Sequence, residues 1–228
     1  MVNIGEHINE ARQSATDGKP EVCAMRQKSA RSYTIDGYWT PQTAMLLAIQ
    51  KWFFEADLPS AYSALSIDEN PTLNEILQAC WPSLKIQPAI HPRHDAQKLV
   101  DFADNQFDIV YSHQVLEHIP KPWLAAQECV RVLKKGGIGL HTTCAFNPRH
   151  GPPAFNDYYR FLPDGLAELF AGVQVMVKAG WGNREALIYN LAINDGHGDL
   201  GGRRLHPTVG QRNELLHPWV TWIIFRKV

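Results

Sequence analysis

The residues of this chain best equipped for chemistry are His113, Glu117, His118, His150, Asp157, Tyr158 and Arg160. Imidazole is the side chain whose ordinary pKa lets it accept or release a proton near neutral pH. Three imidazoles, with carboxylates, a phenol and a guanidinium close by in sequence, could remove a proton from a bound hydroxyl and hold a polar ligand. The same residues have a plainer use. Asp157 and Arg160 are spaced to form an ion pair that pins a loop, and His118 can fix its own loop through one hydrogen bond. His91 and His94 have a spacing that could suit a metal on a helix, but Pro92 between them argues against a helix presenting both. No H-E-x-x-H spacing occurs. The four cysteines, Cys23, Cys80, Cys129 and Cys144, form no CxxC pair, so reduced thiols and no metal are expected.

What positions these groups is the stretch 107–137, FDIVYSHQVLEHIPKPWLAAQECVRVLKKGG. Residues 107–111 are a short apolar run rich in β-formers, which reads as a buried strand of a parallel sheet. Ser112, His113 and Gln114 make a polar break at its end. Trp123, Ala126, Val130 and Leu133 recur at helical spacing and predict one apolar face. Lys134 and Lys135 are expected in the last turn of that helix, with Gly136 at a left-handed stop. Residues 138–143 are the next strand. This is a βαβ unit, whose crossover should be right-handed. In open α/β sheets ligands sit outside the carboxyl ends of the strands, so Ser112 to Gln114 and Thr142 to Cys144 approach one crevice edge. The proline-rich loop 146–161 then carries Asn147, Arg149, His150, Asp157, Tyr158 and Arg160, and His150 is its leading general-base candidate.

FDIVYSHQVLEHI, followed by RVLKKGG and a strand, resembles the fourth strand, helix and fifth strand of class I S-adenosylmethionine (SAM)-dependent methyltransferases. HGPPAFNDYYRF, from His150 to Phe161, resembles the H…P.DYYRF element of a subgroup of small bacterial methyltransferases. The resemblance implies an α/β fold: a Rossmann-like, doubly wound, mostly parallel sheet of roughly six or seven strands with an antiparallel edge pair. It also implies SAM as cofactor, S-adenosylhomocysteine as product, and a small-molecule or saccharide acceptor.

Residues 61–67 are expected to be the first strand of that fold. In the family the next turn carries an acidic residue and glycines, which let the cofactor approach a helix N-terminus. Here the turn reads LSIDENP and has no glycine. The resemblance places Ser66 and Asp68, Glu69 or Asn70 against the amino acid portion or ribose of SAM, while Asn70 followed by Pro71 also suits a plain helix cap. A second register is open, in which residues 66–77 are the second strand and its helix and Asp68 holds the ribose hydroxyls. The first is preferred. Asp95 matches the element whose carboxylate accepts the adenine amino group, with the Ala96 N–H reading the ring nitrogen. Ser112, His113 and Gln114 are implied beside the methionine part. His150, His113 and Tyr158 are the implied catalytic set, and His118, Asp157 and Arg160 the implied acceptor contacts. The glycine-poor turn keeps a rival reading open: a methyltransferase-like module that binds a ligand or partner without turnover.

The chain has 228 residues, 45% of them hydrophobic, enough for one domain over residues 39–228 behind an extension, 1–38, with a candidate helix at 4–14. Its net charge of −1 offers no basic field for nucleic acid or an anionic membrane. The first residues lack a basic-then-apolar signal, and no apolar run reaches the length of a span, so a cytoplasmic protein is expected. Thr40 and Pro41 open a helix through Met45, Ala48, Ile49 and Trp52, with Tyr33, Tyr38 and Trp39 clustered before it. Residues 84–90, 173–179 and 219–226 read as strands and 162–170 as a helix. A turn is expected at 181–185 and a glycine-rich loop at 195–204.

Overall fold

The structure is a computed structural model that describes residues 33–34, 36–68, 70–151, 154–193 and 204–228. The candidate helix at 4–14 and nearly all of the 195–204 loop lie outside the described residues. Strands β1 (Ser63–Ile67), β2 (Lys85–Ala89), β3 (Phe107–His113), β4 (Leu133–Cys144), β5 (Val173–Trp181) and β6 (Val220–Lys227) form one six-stranded sheet. Their order is β2-β1-β3-β4-β6-β5. The first four in that order run parallel, and β6 runs against both β4 and β5. Pairing with β3 on one side and β2 on the other puts Ser63–Ile67 in the place of the first strand, at the point where the winding reverses. The first register is therefore the one that forms.

Side-chain alternation explains why the sheet is covered on both faces. Ala64, Ile109, Tyr111, Leu140 and Ile224 share a core with helices α1 (Pro41–Glu55) and α2 (Pro71–Cys80). Leu65, Val110, Ile223 and Phe225 share the opposite core with α3 (Pro122–Val132) and α4 (Pro163–Glu168). Both helix starts expected on the first face are capped. Thr40 and Thr43 exchange backbone-to-side-chain bonds of 3.0 and 3.2 Å, and Asn70 Oδ1 accepts from Leu73 N at 2.9 Å. Tyr33 is buried on α1, where its hydroxyl donates to Gln50 Oε1 at 2.6 Å. Trp39 N donates to Leu205 O at 2.9 Å. These aromatics pack as a cover over α1, with only Tyr38 of the three largely exposed.

Helix α3 corrects two expectations. Its buried face is Pro122, Ala125, Ala126, Cys129 and Val132, and Trp123 is 46% exposed. The helix is rotated relative to the expected stripe because small residues let its axis lie close to the sheet, where an indole would not fit. Trp123→Ala should therefore cost about 1 kcal/mol or less in denaturant unfolding, against about 2–5 kcal/mol for the buried Leu140→Ala. The helix also stops at Val132, so Lys134 and Lys135 lie in β4 and not in a last helical turn. Lys134 Nζ instead bonds Asp108 Oδ1 at 2.7 Å, while Asp108 Oδ2 accepts the Tyr62 and Ser63 N–H groups. Gly136 does take the left-handed conformation, with φ 75°.

No regular strand or helix fills residues 90–106; α3 holds this segment in place. Glu128 accepts Leu99 N at 2.7 Å, and Arg131 donates to the carbonyls of Leu99 and Phe102 at 2.9 Å each. The turn expected at 181–185 opens a further helix, α5 (Arg184–Ile193), where Asn183 Oδ1 accepts Ala186 N at 2.8 Å. A short α6 (Pro207–Gly210) precedes β6. Among the described residues no helix is long and apolar enough to cross a membrane.

Candidate functional site

The carboxyl ends of β1 and β3 meet at the reversal point of the sheet. Asp68, just past β1, has φ 68°, and Gln114, just past β3, has φ 56°. Left-handed backbone is costly for residues with a Cβ, and aspartate tolerates it better than glutamine. The turn thus closes tightly without glycine. Asp68 N donates to Ala89 O at 3.1 Å, and Ser66 Oγ bonds the Asp68 carbonyl. Gln114 N donates to Thr142 O at 3.0 Å. The Asp68 side chain is exposed, while Asn70 is spent on the cap of α2. Asp95 stands beyond β2, exposed, its Oδ1 accepting Gln97 N at 2.9 Å, with Ala96 half-buried beside it.

Other residues expected at the crevice are turned elsewhere. Ser112 is buried and its Oγ lies 2.8 Å from His141 Nδ1. His141 stacks on Phe170 and Phe225 inside the core, and burial pushes its pKa down to about 3. His113 sits with Nδ1 3.1 Å from Thr142 Oγ1, and burial pushes it down to about 4. Both imidazoles are neutral at physiological pH.

Beside the crevice, over the ends of β3 and β4, lies a cavity of about 250 Å³. The N-terminus of α1 supplies Thr40, Pro41 and Gln42 to one wall. Gln114, His118, Cys144, Asn147, His150, Phe155, Trp219 and Val220 supply the rest. The His118 ring meets that of His150 edge-on at 4.8 Å and that of Phe155 at 4.4 Å. His118 Nδ1 is 2.7 Å from Asn156 O. A carbonyl can only accept, so Nδ1 carries a proton, and in the neutral ring the lone pair is on the other nitrogen. His150 Nδ1 is crowded: Pro148 O is at 3.2 Å, and Asn147 Nδ2, Arg160 Nη2 and Asp157 Oδ2 are each at 3.3 Å. Burial lowers its pKa, against the pull of Asp157.

Asp157 and Arg160 form a two-pronged ion pair at 2.6 and 2.5 Å, with the Asp157 side chain 2% exposed. Burial would raise the Asp157 pKa, but the Arg160 fork and the His150 N–H hold it below the usual range. Arg160 also donates to the carbonyls of Asn147 and Pro148 at 2.9 Å each. The pair therefore staples the loop to itself. Tyr158 is not among the residues lining the cavity and is 46% exposed. Its backbone N–H, like that of Tyr159, donates to Glu117 O.

The sequence marks Glu117 as a chemistry-bearing residue, but not its nearness to Cys144. Glu117 is fully buried, its Oε2 accepting from Thr143 Oγ1 at 2.7 Å, and burial raises its pKa. Cys144 ends β4 at the cavity floor. The available signal was a carboxylate set between the apolar Leu116 and Ile119 in a turn tied to the sheet.

Comparison with known proteins agrees with this architecture. Residues 56–140 match the family described as a methyltransferase domain. A methyltransferase of Mycobacterium tuberculosis is 28% identical over 106 residues, 36% of this chain and 41% of that protein. The ubiquinone biosynthesis O-methyltransferase of Dinoroseobacter shibae is 31% identical over 105 residues, 39% of this chain and 42% of that protein. The chain spans less than half the length of these relatives. Among solved structures, phosphoethanolamine N-methyltransferase 2 of Haemonchus contortus, in complex with S-adenosyl-L-methionine, superposes with a TM-score of 0.51 at 15% identity. That superposition covers 81% of this chain and 52% of the other. The sheet order, the place of Ser63–Ile67 and these matches together identify the class I methyltransferase fold, and residues 56–140 are the segment that matches the methyltransferase-domain family.

Proposed function

We propose that this chain binds SAM in the crevice between β1 and β3 and transfers its methyl group to an acceptor seated in the adjoining cavity. The observation that carries the reading is the pair of left-handed residues at the reversal point, Asp68 and Gln114. Strained backbone in non-glycine residues persists where surrounding structure enforces it, and it gathers at ligand sites. The donor set suits SAM. The exposed Asp68 carboxylate can accept from ribose hydroxyls or an ammonium, Asp95 can accept from an adenine amine, and Gln114 offers an amide at the same edge.

SAM supplies a methyl group already activated by its sulfonium, so the chain's work is alignment and, for a hydroxyl acceptor, proton removal. We assign the proton to His118, whose free ring nitrogen is held ready by the bond from Nδ1 to Asn156 O. Phe155 and Trp219 give the cavity apolar surface, while Gln42, Asn147 and Gln114 give it amides. That mixture fits a hydroxyl-bearing small molecule or a saccharide, and a net charge of −1 favours neither nucleic acid nor an acidic surface.

Titration calorimetry with SAM tests the reading. The parent should bind it, and Asp95→Ala should weaken binding by about 1–3 kcal/mol, the cost of leaving a buried amine unpaired. A parent that takes up no heat with SAM or S-adenosylhomocysteine would end the proposal.

A further inference from the structure

We infer that Glu117, Cys144 and His150 form a binding site for one borderline-soft divalent cation, zinc by its donor set, at the floor of the cavity. One ligand atom from each of these three residues lies within 4.8 Å of the others. They come from three places that only the fold unites: the short turn Leu116–His118 after β3, the last residue of β4, and the loop beyond it. Carboxylate oxygen, thiolate sulfur and imidazole nitrogen are the three donor types zinc accepts together, whereas calcium and magnesium call for oxygen alone.

A second observation points to a ligand. Glu117 is completely buried, and its Oε1 makes no hydrogen bond of ordinary geometry; the weak-donor thiol of Cys144 is the group beside the carboxylate. A carboxylate oxygen so weakly served in the interior is expensive, and a cation between it, the sulfur and the imidazole satisfies it. Supports for the ligands are already in place. Thr143 Oγ1 donates to Glu117 Oε2 at 2.7 Å and so aims the other oxygen. His150 Nδ1 lies 3.2 Å from Pro148 O and 3.3 Å from Asp157 Oδ2, which leaves its other nitrogen for the metal. A carboxylate or carbonyl behind a ligating histidine is the usual outer support of a zinc site.

A neighbouring group, His118, His150 and Asp157, is as close-set, but it is already served by a cation. The Arg160 guanidinium forks onto Asp157 there, whereas Glu117 and Cys144 feel its charge but are not hydrogen-bonded by it, so the metal belongs on the Glu117 side. Cys144 and His150 also line the cavity, so a cation bound by three protein atoms would keep its fourth position open towards it. The inference does not rest on methyl transfer, because metal retention is measured without SAM.

The test is metal content and cobalt spectroscopy on the full chain. After loading with zinc and exhaustive dialysis, about one zinc ion per chain should remain. Cobalt(II) should give a sulfur-to-cobalt charge-transfer band in the parent. Cys144→Ser should abolish the band, and Glu117→Gln should weaken zinc at least about 10-fold in competition with a chromogenic chelator. Circular dichroism checks that both variants keep the parent fold. A parent that shows no thiolate–cobalt band overturns the inference even if neither variant folds. So does equal zinc retention by parent and both variants, which marks adventitious binding at other cysteines or histidines.

Discussion

His141 should make this fold lose about 2 kcal/mol of stability as the pH falls from 7 to 5. Its imidazole is buried between aromatic rings, and burial pushes its pKa down to about 3, against 6.5 in the unfolded chain. A base with a depressed folded pKa contributes its stability above the unfolded pKa and loses it as the pH drops towards the folded one. The window therefore opens near pH 6.5 and extends to about pH 3. His113, pushed down to about 4, adds nearly as much over pH 7 to 5. Glu117 works in the opposite direction, since burial raises its pKa and acid relieves it. The clean measurement is thus a difference. Denaturant midpoints at pH 7 and pH 5 are compared for the parent and for His141→Gln, and the variant should lose about 2 kcal/mol less. Parallel pH profiles would show that His141 is charged or solvated in the native state.

Asp157→Ala should destabilise the protein by about 2–4 kcal/mol, slightly discounted because Arg160 keeps some solvent contact. The Asp157 side chain is 2% exposed and that of Arg160 25%. Removing the carboxylate leaves a half-enclosed guanidinium facing carbonyls and imidazole without its counter-charge. It also frees His150 N, which donates to Asp157 Oδ2 at 2.9 Å. The double variant Asp157→Ala/Arg160→Met should recover much of the loss, because the uncompensated charge is gone. Thermal and urea unfolding of the single and double variants check this, and a single variant as stable as the parent would mean that the pair does not staple the loop.

Local signals carried much of the fold in the sequence. Thr40 and Asn70 cap helices because a short polar side chain before a proline has few other uses, and both do so here. The apolar run at 107–111 became β3 at the sheet centre because nothing else could bury both its faces. Helix α3 shows where such signals stop. Two stripes, one holding Trp123 and one holding Ala125 and Cys129, have the same period. Only the distance to the sheet decides between them. The site divides the same way. His118 stands out in the turn after β3, and His150, Asp157 and Arg160 in the loop beyond β4, and the structure gathers them. Ser112 reads as a crevice residue, but the strand runs two residues further than expected, and Ser112 turns inward to His141. The nearness of Glu117 to Cys144 is a product of strand pairing, and no spacing in the chain encodes it.

The two ends of the sheet have different fates in a crowded solution. A sheet grows by adding a strand to a free edge, and a strand that lacks N–H groups cannot recruit one. β2 forms one border, and Pro88 within it supplies no N–H. β5 forms the other, has no proline, and carries partly exposed Val175 and Met176. Its protection is a register shift between Val175 and Val177 and the charge of Lys178. Self-association and fibre formation under stress should therefore start at β5, and a proline or a second lysine placed on its outer side would make both borders inert.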